Sequence, residues 1–351
     1  MRLLITGGCG FIGSAVVRHV LKSTQHQVLN YDKMTYAASE LALETGGHHP
    51  RHKLVVADIT DAAAVRQAFD EFQPEAVMHL AAESHVDRSI DGPADFVSTN
   101  VVGTFTLLAA ARNYVAGLSA EGRAKFRFHH ISTDEVFGAL ETGEPAFHEA
   151  TAYDPRSPYS ATKAASDHLV RAWYHTYGLP VIVSNTTNNY GPWQFPEKLI
   201  PLMIISAIEE KPLPVYGDGT NIRDWLFVED HAKALMKLVE TAQPGKTYCI
   251  GARQPRNNLD VVKAICRILD RKLPSPDGAR ERLIVFVRDR PGHDFRYEID
   301  PSNAESYLNW TAEHDFEAGL EATIDWYLAH QDWWQAIRAK KYHGERLGTA
   351  A

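Results

Sequence analysis

Short apolar runs alternate with stretches of helical periodicity through the first half of the chain. Residues 61–72 and 94–114 show helical spacing, whereas the shorter runs have the length and composition of buried strands. Strands that alternate with helices in this way form parallel sheets with helices on both faces. We therefore predict six such strands in the runs RLLITGG, QVLNYD, KLVVADI, AVMHLAA, FRFHHIS and LPVIVSN.

The pattern changes after about residue 187. Loops rich in Pro, Gly and Asn, such as NNYGPWQFPEK and VRDRPGHD, then separate shorter elements, and loops of this kind often carry binding groups. We predict an α/β fold with two parts. Residues 1–187 form a doubly wound parallel sheet, and residues 188–351 form a smaller α/β domain that mainly binds substrate.

Composition narrows the classes of partner. The chain has 351 residues, 44% of them hydrophobic, a net charge of −8 and no long run of Lys or Arg. This balance argues against nucleic acid and anionic lipid as partners. The N-terminus reads as a strand and no apolar stretch reaches about 18 residues, so we expect a cytoplasmic protein without a membrane span. The three cysteines and the histidines of residues 46–53 lack ligand spacing, so no metal site is expected.

A glycine-rich segment joins the first predicted strand to the first helix. Gly7, Gly10 and Gly13 would let backbone amides approach a pyrophosphate at the positive end of that helix. Asp32 ends the next strand, 19 residues after Gly13, where a carboxylate can bind a ribose diol. We predict a Rossmann-type domain that binds NAD rather than NADP, because this carboxylate would repel a 2′-phosphate.

Two neighbouring residues leave alternatives open. Lys33 is a cation beside the predicted ribose site and therefore weakens the argument against NADP. Asp58 is a candidate for the adenine edge or, alternatively, a cap for the helix at residues 61–72. The Gly-x-x-Gly-x-x-Gly spacing resembles the short-chain dehydrogenase/reductase superfamily, and that resemblance predicts a Tyr-x-x-x-Lys motif further along the chain.

Tyr159 and Lys163 supply this motif at the start of a helical pattern, one turn apart on one face. Lowering a phenol pKa from about 10 to about 7 requires roughly 4 kcal/mol of preferential stabilisation of the phenolate. A neighbouring ammonium and a cationic nicotinamide can supply it. The pair therefore predicts a base that removes a hydroxyl proton while NAD accepts a hydride.

Asp134 and Glu135 stand side by side after the strand FRFHHIS. An alcohol dehydrogenase of this type has no use for two acids here. Once an alcohol is oxidised to a ketone, however, a base on the neighbouring carbon and an acid on the next can eliminate water. The alternative is that the two acids cap the following turn or face solvent.

Several long motifs together resemble the dTDP-glucose 4,6-dehydratase family of extended short-chain dehydrogenases. They are TGGCGFIGS, HLAAESHVDRSI, STDEVFG, SPYSATK, NNYGP, FPEKLIPL, IRDWLFVEDH and RPGHD, and they extend from residue 1 to about residue 300. The resemblance implies conversion of dTDP-glucose into a 4-keto-6-deoxy sugar and water. It implies that Tyr159 and Thr133 act at the C4 hydroxyl, Glu135 at the C5 proton and Asp134 at the departing C6 hydroxyl.

The resemblance also implies two sets of binding residues. NAD would contact the glycine loop, Asp32, Asp58, Tyr159 and Lys163, together with Phe11, Ile12, Lys33, Thr35, Ile59, Ala81, Ala82, Thr99 and Asn188. The sugar nucleotide would contact Ser84, Thr133, Asn189, Lys198, Leu199, Arg223, Asn258, Arg288, Asp289, Arg290, His293 and Tyr297. In this second set the arginines would bind the diphosphate.

Two residues depart from the family pattern. Phe137 stands where tyrosine is usual, and Cys9 replaces a usual alanine in the glycine loop. An exposed thiolate at Cys9 would make cofactor binding sensitive to oxidation. The segments YAASELAL and GARQPRNN also differ from the family, so they leave the adenosine side and the nucleotide base less defined than the sugar chemistry.

Three other functions remain open from the sequence. The chain could act on another nucleotide hexose, or it could be a UDP-hexose 4-epimerase, which shares the Tyr-Lys pair but has no use for the acid pair. It could also be a non-catalytic NAD-binding regulator. The family resemblance further implies a homodimer, and the apolar repeats at residues 101–111 and 164–174 permit helices that pair across an interface.

Overall fold

A large parallel sheet forms the framework of the protein. The structure is a computed structural model and describes residues 1–44, 48–289, 292–344 and 347. The sheet has the strand order β10-β6-β5-β4-β1-β2-β3, in which all pairs are parallel. Its strands are β1 (Arg2–Thr6), β2 (Gln27–Asp32), β3 (His52–Val56), β4 (Ala76–His79), β5 (Arg127–Thr133), β6 (Val181–Thr186) and β10 (Thr247–Ile250). The predicted Rossmann-type sheet is therefore confirmed, and the six predicted runs are β1 to β6.

Helices cover both faces of this sheet because alternate strand residues point to opposite sides. Leu3 and Ile5 of β1 join the apolar layer on one face, and Leu4 joins the layer on the other. On the first face α1 (Phe11–Ser23) packs against α9 (Val228–Thr241). The opposite face carries three helices that pack in sequence, α2 (Ala62–Phe72), α5 (Thr104–Ala116) and α7 (Pro158–Tyr177).

The second half of the chain forms a smaller unit around two short sheets. One has the order β11-β9-β7 and the other pairs β12 with β8; the strands are β7 (Asn188–Tyr190), β8 (Leu213–Tyr216), β9 (Ile222–Phe227), β11 (Pro255–Asn257) and β12 (Ile284–Val287). The chain returns to the large sheet at α9 and β10, within the range assigned to the second domain. The boundary at 187/188 stays a prediction.

The remaining helices connect these layers. They are α3 (Val86–Asp91), α4 (Pro93–Phe96), α6 (Ala120–Lys125), α8 (Leu199–Ile208), α10 (Asn258–Lys272), α11 (Ser302–Leu308), α12 (Phe316–Ala329) and α13 (Gln331–Lys340). Helices α8, α10 and α12 enclose the core of the smaller unit.

Helical structure is continuous from α4 to α5 through a π-helical segment at Val97–Gly103. Such segments are rare in proteins, but where they occur they often lie at functional sites. Asn100 in this segment accepts the N–H of Glu83 at 2.9 Å and donates to the Thr162 hydroxyl at 3.0 Å. The segment therefore joins the loop after β4 to α7.

The same helical stretch is long enough to cross a membrane. Among the described residues, Pro93–Ala116 is the one such helix, with 24 residues and a mean hydropathy of 1.3 over 18 of them. The helix is not an unbroken apolar stretch, because it contains Asp95, Asn100 and Arg112. Of its most apolar window, 44% is buried inside the protein.

Candidate active site

The glycine loop between β1 and α1 has no space for a side chain at Gly7 or Gly13. Gly7 has a φ of +72°, and a Cβ on Gly13 would lie 2.1 Å from the Gly7 carbonyl oxygen. No side chain caps the N-terminus of α1, and its first turn contains no acidic residue. The backbone amides and the positive end of the helix dipole are thus available to an anion such as a diphosphate.

Asp32 lies beside this loop at the end of β2. Its Oδ2 accepts the Cys9 N–H at 2.9 Å and its Oδ1 accepts the Met34 N–H at 2.8 Å. Burial raises the pKa of Asp32, and these two hydrogen bonds act in the opposite direction. The carboxylate is therefore held in a fixed position beside the loop, as binding of a ribose diol requires.

Lys33 and Asp58 form an ion pair, with Nζ and Oδ2 separated by 2.7 Å. The Lys33 charge is thereby offset, which strengthens the argument for NAD over NADP. Asp58 is not the cap of α2, and this alternative is wrong. Asp61 caps the helix, since its Oδ1 accepts the amides of Ala63 and Ala64 at 2.9 and 3.1 Å.

Cys9 is 1% exposed, and its Sγ accepts a hydrogen bond from Asn30 Nδ2 at 3.2 Å. Burial and then the Asp32 charge raise the pKa of the Cys9 thiol to about 12. A thiol in this state is not a reactive thiolate at neutral pH. The exposed thiolate that an oxidation-sensitive glycine loop would require is therefore not found at Cys9.

The acid pair opens a short 3₁₀ turn, Asp134–Phe137, directly after β5. Thr133 caps this turn, because its hydroxyl accepts the Glu135 N–H at 3.3 Å and donates to Asp134 Oδ1 at 3.2 Å. Asp134 is 1% exposed and Glu135 is partly buried. The alternative that both acids act as caps or face solvent is wrong.

Asp134 has the surroundings of a neutral acid. Burial first, and then the neighbouring Glu135 charge, raise the pKa of Asp134 well above its ordinary value. Its Oδ2 has no hydrogen-bond partner among the described residues. A carboxyl group kept protonated at neutral pH can serve as a proton donor.

Helix α7 presents Tyr159 and Lys163 to the same region. Ser157 and Ser160 form a reciprocal capping box at its start, which fixes the first turn that carries Tyr159. Burial lowers the pKa of Lys163 to about 8, and its Nζ donates to the Ile131 carbonyl oxygen at 2.8 Å. Burial and the Glu135 charge raise the pKa of Tyr159, so the phenol needs a nearby cation to ionise.

Two adjoining cavities contain most of the predicted site residues. The first has a volume of about 320 Å³ and is lined by every residue predicted to bind NAD, together with Thr133, Asp134 and Glu135. The second has a similar volume and shares Ser84, Glu135, Asn188, Asn189 and Lys198 with the first. Glu135 therefore lies where the two cavities meet, and Asp134 lines the first.

The second cavity brings together eight of the residues predicted to bind substrate. They are Ser84, Asn189, Lys198, Leu199, Arg223, Asn258, His293 and Tyr297. Thr133 lines only the first cavity. Arg288 and Asp289 are outside the described lining, although Asp289 Oδ1 lies 2.7 Å from His293 Nδ1. Arg290 lies outside the described residues, so its predicted role is left as a prediction.

Sequence reasoning missed a polar cluster that borders the two cavities. Glu197 accepts hydrogen bonds from Arg88 Nε at 2.8 Å and from the Tyr36 hydroxyl at 2.9 Å, and it is almost fully buried. The Arg88 guanidinium also lies 4.1 Å from the centroid of the Tyr36 ring. The motif FPEK places Glu197 next to Lys198, which was predicted to bind substrate. This adjacency is the feature of the sequence that could have pointed to the cluster.

Comparisons with known proteins agree on one group. The family model described as GDP-mannose 4,6 dehydratase matches residues 4–323. A dTDP-glucose 4,6-dehydratase from Escherichia coli is 56% identical, and the alignment covers 99% of each chain. The solved structure of DesIV, a dTDP-glucose 4,6-dehydratase from Streptomyces venezuelae with NAD and TYD bound, has a TM-score of 0.88 at 37% identity. It covers 96% of this chain and 100% of that one.

An epimerase shares the fold at greater distance. The UDP-glucose 4-epimerase of Thermus thermophilus, solved in complex with NAD, has a TM-score of 0.82 at 25% identity over 94% of this chain and 100% of that one. The sequence identity to these dehydratases is thus clearly higher than that to the epimerase. The chain belongs to the 4,6-dehydratases matched by the family model and, among them, to the dTDP-glucose 4,6-dehydratase family.

Proposed function

We propose that the protein converts dTDP-glucose into dTDP-4-keto-6-deoxyglucose and water, with NAD as a cofactor that is regenerated in each cycle. One observation carries the proposal. The buried Asp134 and the more exposed Glu135 line the same cavity as the Tyr159 and Lys163 pair. An enzyme that only oxidises or inverts C4 has no use for that acid pair.

The first cavity fits a dinucleotide. The glycine loop and the uncapped start of α1 would hold the diphosphate, and Asp32 would bind the adenosine ribose. When bound, NAD supplies the acceptor for the C4 hydride and the donor that returns it to C6. Lys163 would orient the nicotinamide ribose and stabilise the Tyr159 phenolate.

The chain's own groups move the protons. Tyr159 takes the proton of the C4 hydroxyl, and Thr133, which hydrogen-bonds to Tyr159, shares the same oxygen. Glu135 then removes the C5 proton, which the new C4 ketone has made acidic. Asp134 gives its proton to the C6 hydroxyl, which leaves as water while a C5–C6 double bond forms.

The cycle balances without an external reagent. Hydride returns to C6, and Glu135 gives its proton back to C5. Tyr159 has then gained one proton and Asp134 has lost one, so exchange with water restores both groups. The cations that face the second cavity, Arg223 and Lys198, would bind the diphosphate of the sugar nucleotide.

Helices α5 and α7 carry an exposed aromatic row that supports a homodimer. Phe105 is 48% exposed and packs edge-on against Trp173, whose ring lies 5.3 Å from that of the 46% exposed Tyr177. Val97 and Val102 add exposed apolar surface on the same helical stretch. We also infer a cytoplasmic location and a product that supplies deoxysugar synthesis, such as that of rhamnose.

The proposal is tested with purified protein and dTDP-glucose, without added cofactor. Proton NMR should show the doublet of a new C6 methyl group at the expense of the C6 methylene signals. Inversion at C4 alone would instead identify an epimerase. The same experiment with UDP-glucose measures nucleotide preference, and the absence of turnover with either substrate would favour a non-catalytic role.

A further inference from the structure

We propose that Asp167 is a positioning residue for this reaction, which keeps Lys163 cationic and anchors the end of β5. The inference rests on the proposed function and adds a buried anion to the catalytic arrangement. Asp167 lies one turn after Lys163 on α7 and is 0% exposed. It belongs to none of the motifs that predicted the site.

Three donors from different parts of the fold bind one oxygen of its carboxylate. Asp167 Oδ2 accepts hydrogen bonds from Ser132 Oγ at 2.9 Å, the Tyr153 hydroxyl at 2.7 Å and Asn185 Nδ2 at 3.2 Å. Its Oδ1 lies 3.1 Å from His130 Nε2. Oδ1 accepts no hydrogen bond among the described residues, so the three donors on Oδ2 and the nearby His130 ring are what offset the burial of the carboxylate.

Asp167 remains ionised despite its burial. Burial alone would raise the pKa of Asp167, but the neighbouring His130, the Lys163 charge and the Tyr153 hydroxyl outweigh it and lower the pKa. Tyr153 is in turn held by Arg171, whose Nη2 donates to the Tyr153 hydroxyl at 2.7 Å. The site is thus built to stabilise an anion inside the protein.

This anion acts on the Lys163 ammonium. Burial lowers the pKa of Lys163 to about 8, and the Asp167 charge opposes that effect. The other titratable groups near Lys163 are Tyr159 on the same helix, His79 on β4 and His130 on β5. Burial lowers the pKa of both histidines, so neither adds charge at neutral pH. Asp167 is therefore the negative charge that keeps Lys163 protonated as the pH approaches 8.

The same carboxylate fixes the strand that ends at the acid pair. Ser132 directly precedes Thr133, and Asn185 Nδ2 donates to both Asp167 Oδ2 and the Thr133 carbonyl oxygen, the latter at 3.0 Å. The end of β5 is therefore tied to α7 and β6 through one group. Displacement of that end would move Thr133 relative to Tyr159.

The test is the pH dependence of kcat for dTDP-glucose in Asp167→Asn, which keeps the shape of the side chain but removes the charge. The profile of the wild type should rise as Tyr159 ionises and fall as Lys163 loses its proton. Without the anion, the falling limb should move down by about one pH unit, because the Lys163 ammonium loses a stabilising charge, and kcat should fall about twofold at pH 7 and about tenfold at pH 9. The rising limb should not move up, because the Asp167 charge also raises the pKa of Tyr159. Ser184→Ala is the control, since it removes a buried hydroxyl that bonds only to His129 among the described residues.

The possible outcomes distinguish an electrostatic role of Asp167 from a purely structural one. If Asp167→Asn lowers kcat equally at every pH and neither limb moves, the residue is merely structural and the proposal is overturned. If Asp167→Asn does not fold, Asp167→Glu decides, because it keeps the charge: its limbs must stay at the wild-type positions, and shifted limbs contradict the proposal. If the wild type itself forms no 4-keto-6-deoxy sugar, the proposed function fails, and this role of Asp167 with it.

Discussion

Asp134 and Glu135 are adjacent in sequence, yet only Asp134 is sealed from solvent. Asp134 is 1% exposed and accepts the Thr133 hydroxyl, whereas Glu135 is partly buried and lies where the two cavities meet. Burial first, and then the Glu135 charge, raise the pKa of Asp134 well above its ordinary value, which favours the protonated form. The difference in surroundings fits one acid and one base for the removal of water.

Glu135→Gln should stop the reaction after C4 oxidation. The amide cannot remove the C5 proton, so turnover should fall by about 10²- to 10⁴-fold while reduced cofactor accumulates on the enzyme. Near-ultraviolet absorbance after mixing with dTDP-glucose measures that accumulation. Glu141→Gln, at an exposed carboxylate beyond the same turn, should behave as wild type. If no reduced cofactor forms in Glu135→Gln with substrate bound, the assignment of the base is wrong.

Asp134→Asn should lose activity but gain stability as the pH rises. The folded-state pKa of Asp134 lies above its unfolded value, so its contribution to stability is complete below about pH 4 and is lost as the pH rises towards the folded pKa. The amide of Asn does not titrate, so it causes no such loss of stability as the pH rises. The melting temperature of the variant should therefore exceed that of the wild type at pH 7 and be close to it near pH 4. Thermal melts across this range measure the difference in melting temperature between the two proteins. A difference that does not change with pH would contradict a neutral Asp134.

Gly13→Ala should weaken binding of the cofactor. A Cβ at this position lies 2.1 Å from the Gly7 carbonyl oxygen and 2.8 Å from Gly8 Cα, so the loop backbone must move. The affinity for NAD, measured by calorimetry, should fall about tenfold or more. Gly92→Ala is the matched control, because its Cβ would meet no atom closer than 3.9 Å. Unchanged NAD affinity in Gly13→Ala would remove the glycine loop from the binding site.

Phe105→Asp should weaken the proposed dimer, since it places a charge in the exposed aromatic row of α5 and α7. Analytical ultracentrifugation should show a larger monomer fraction than in the wild type. Phe286→Asp removes a 59% exposed side chain on β12, outside this row, and should leave the assembly unchanged. Equal behaviour of the two variants would place the interface elsewhere.

Local sequence motifs predicted the part of the site whose geometry is set by residues that are close together in the sequence. The spacing of Gly7, Gly10 and Gly13 fixes a turn between one strand and one helix, and that of Tyr159 and Lys163 fixes one helix face. The carboxyl ends of parallel strands share an edge, so these motifs converge with Asp32 on the first cavity.

Contacts between distant segments were beyond prediction from one sequence. Tyr36 and Glu197 are 161 residues apart, and nothing in either motif indicates that they bond. In the sequence, Asp167 cannot be distinguished from other polar residues on a helix. Only the fold shows that it accepts hydrogen bonds from Ser132, Tyr153 and Asn185. Strand β10 and the π-helical segment Val97–Gly103 also lacked a local signal, since packing against remote elements decides both.

The most direct test of the account uses dTDP-glucose that carries deuterium at C4, with the product analysed by NMR and mass spectrometry. If the protein oxidises C4, eliminates water and returns the same hydride, the deuterium should appear in the C6 methyl group. Deuterium retained at C4 of an inverted hexose, or a C6 methyl group without deuterium, would contradict the account.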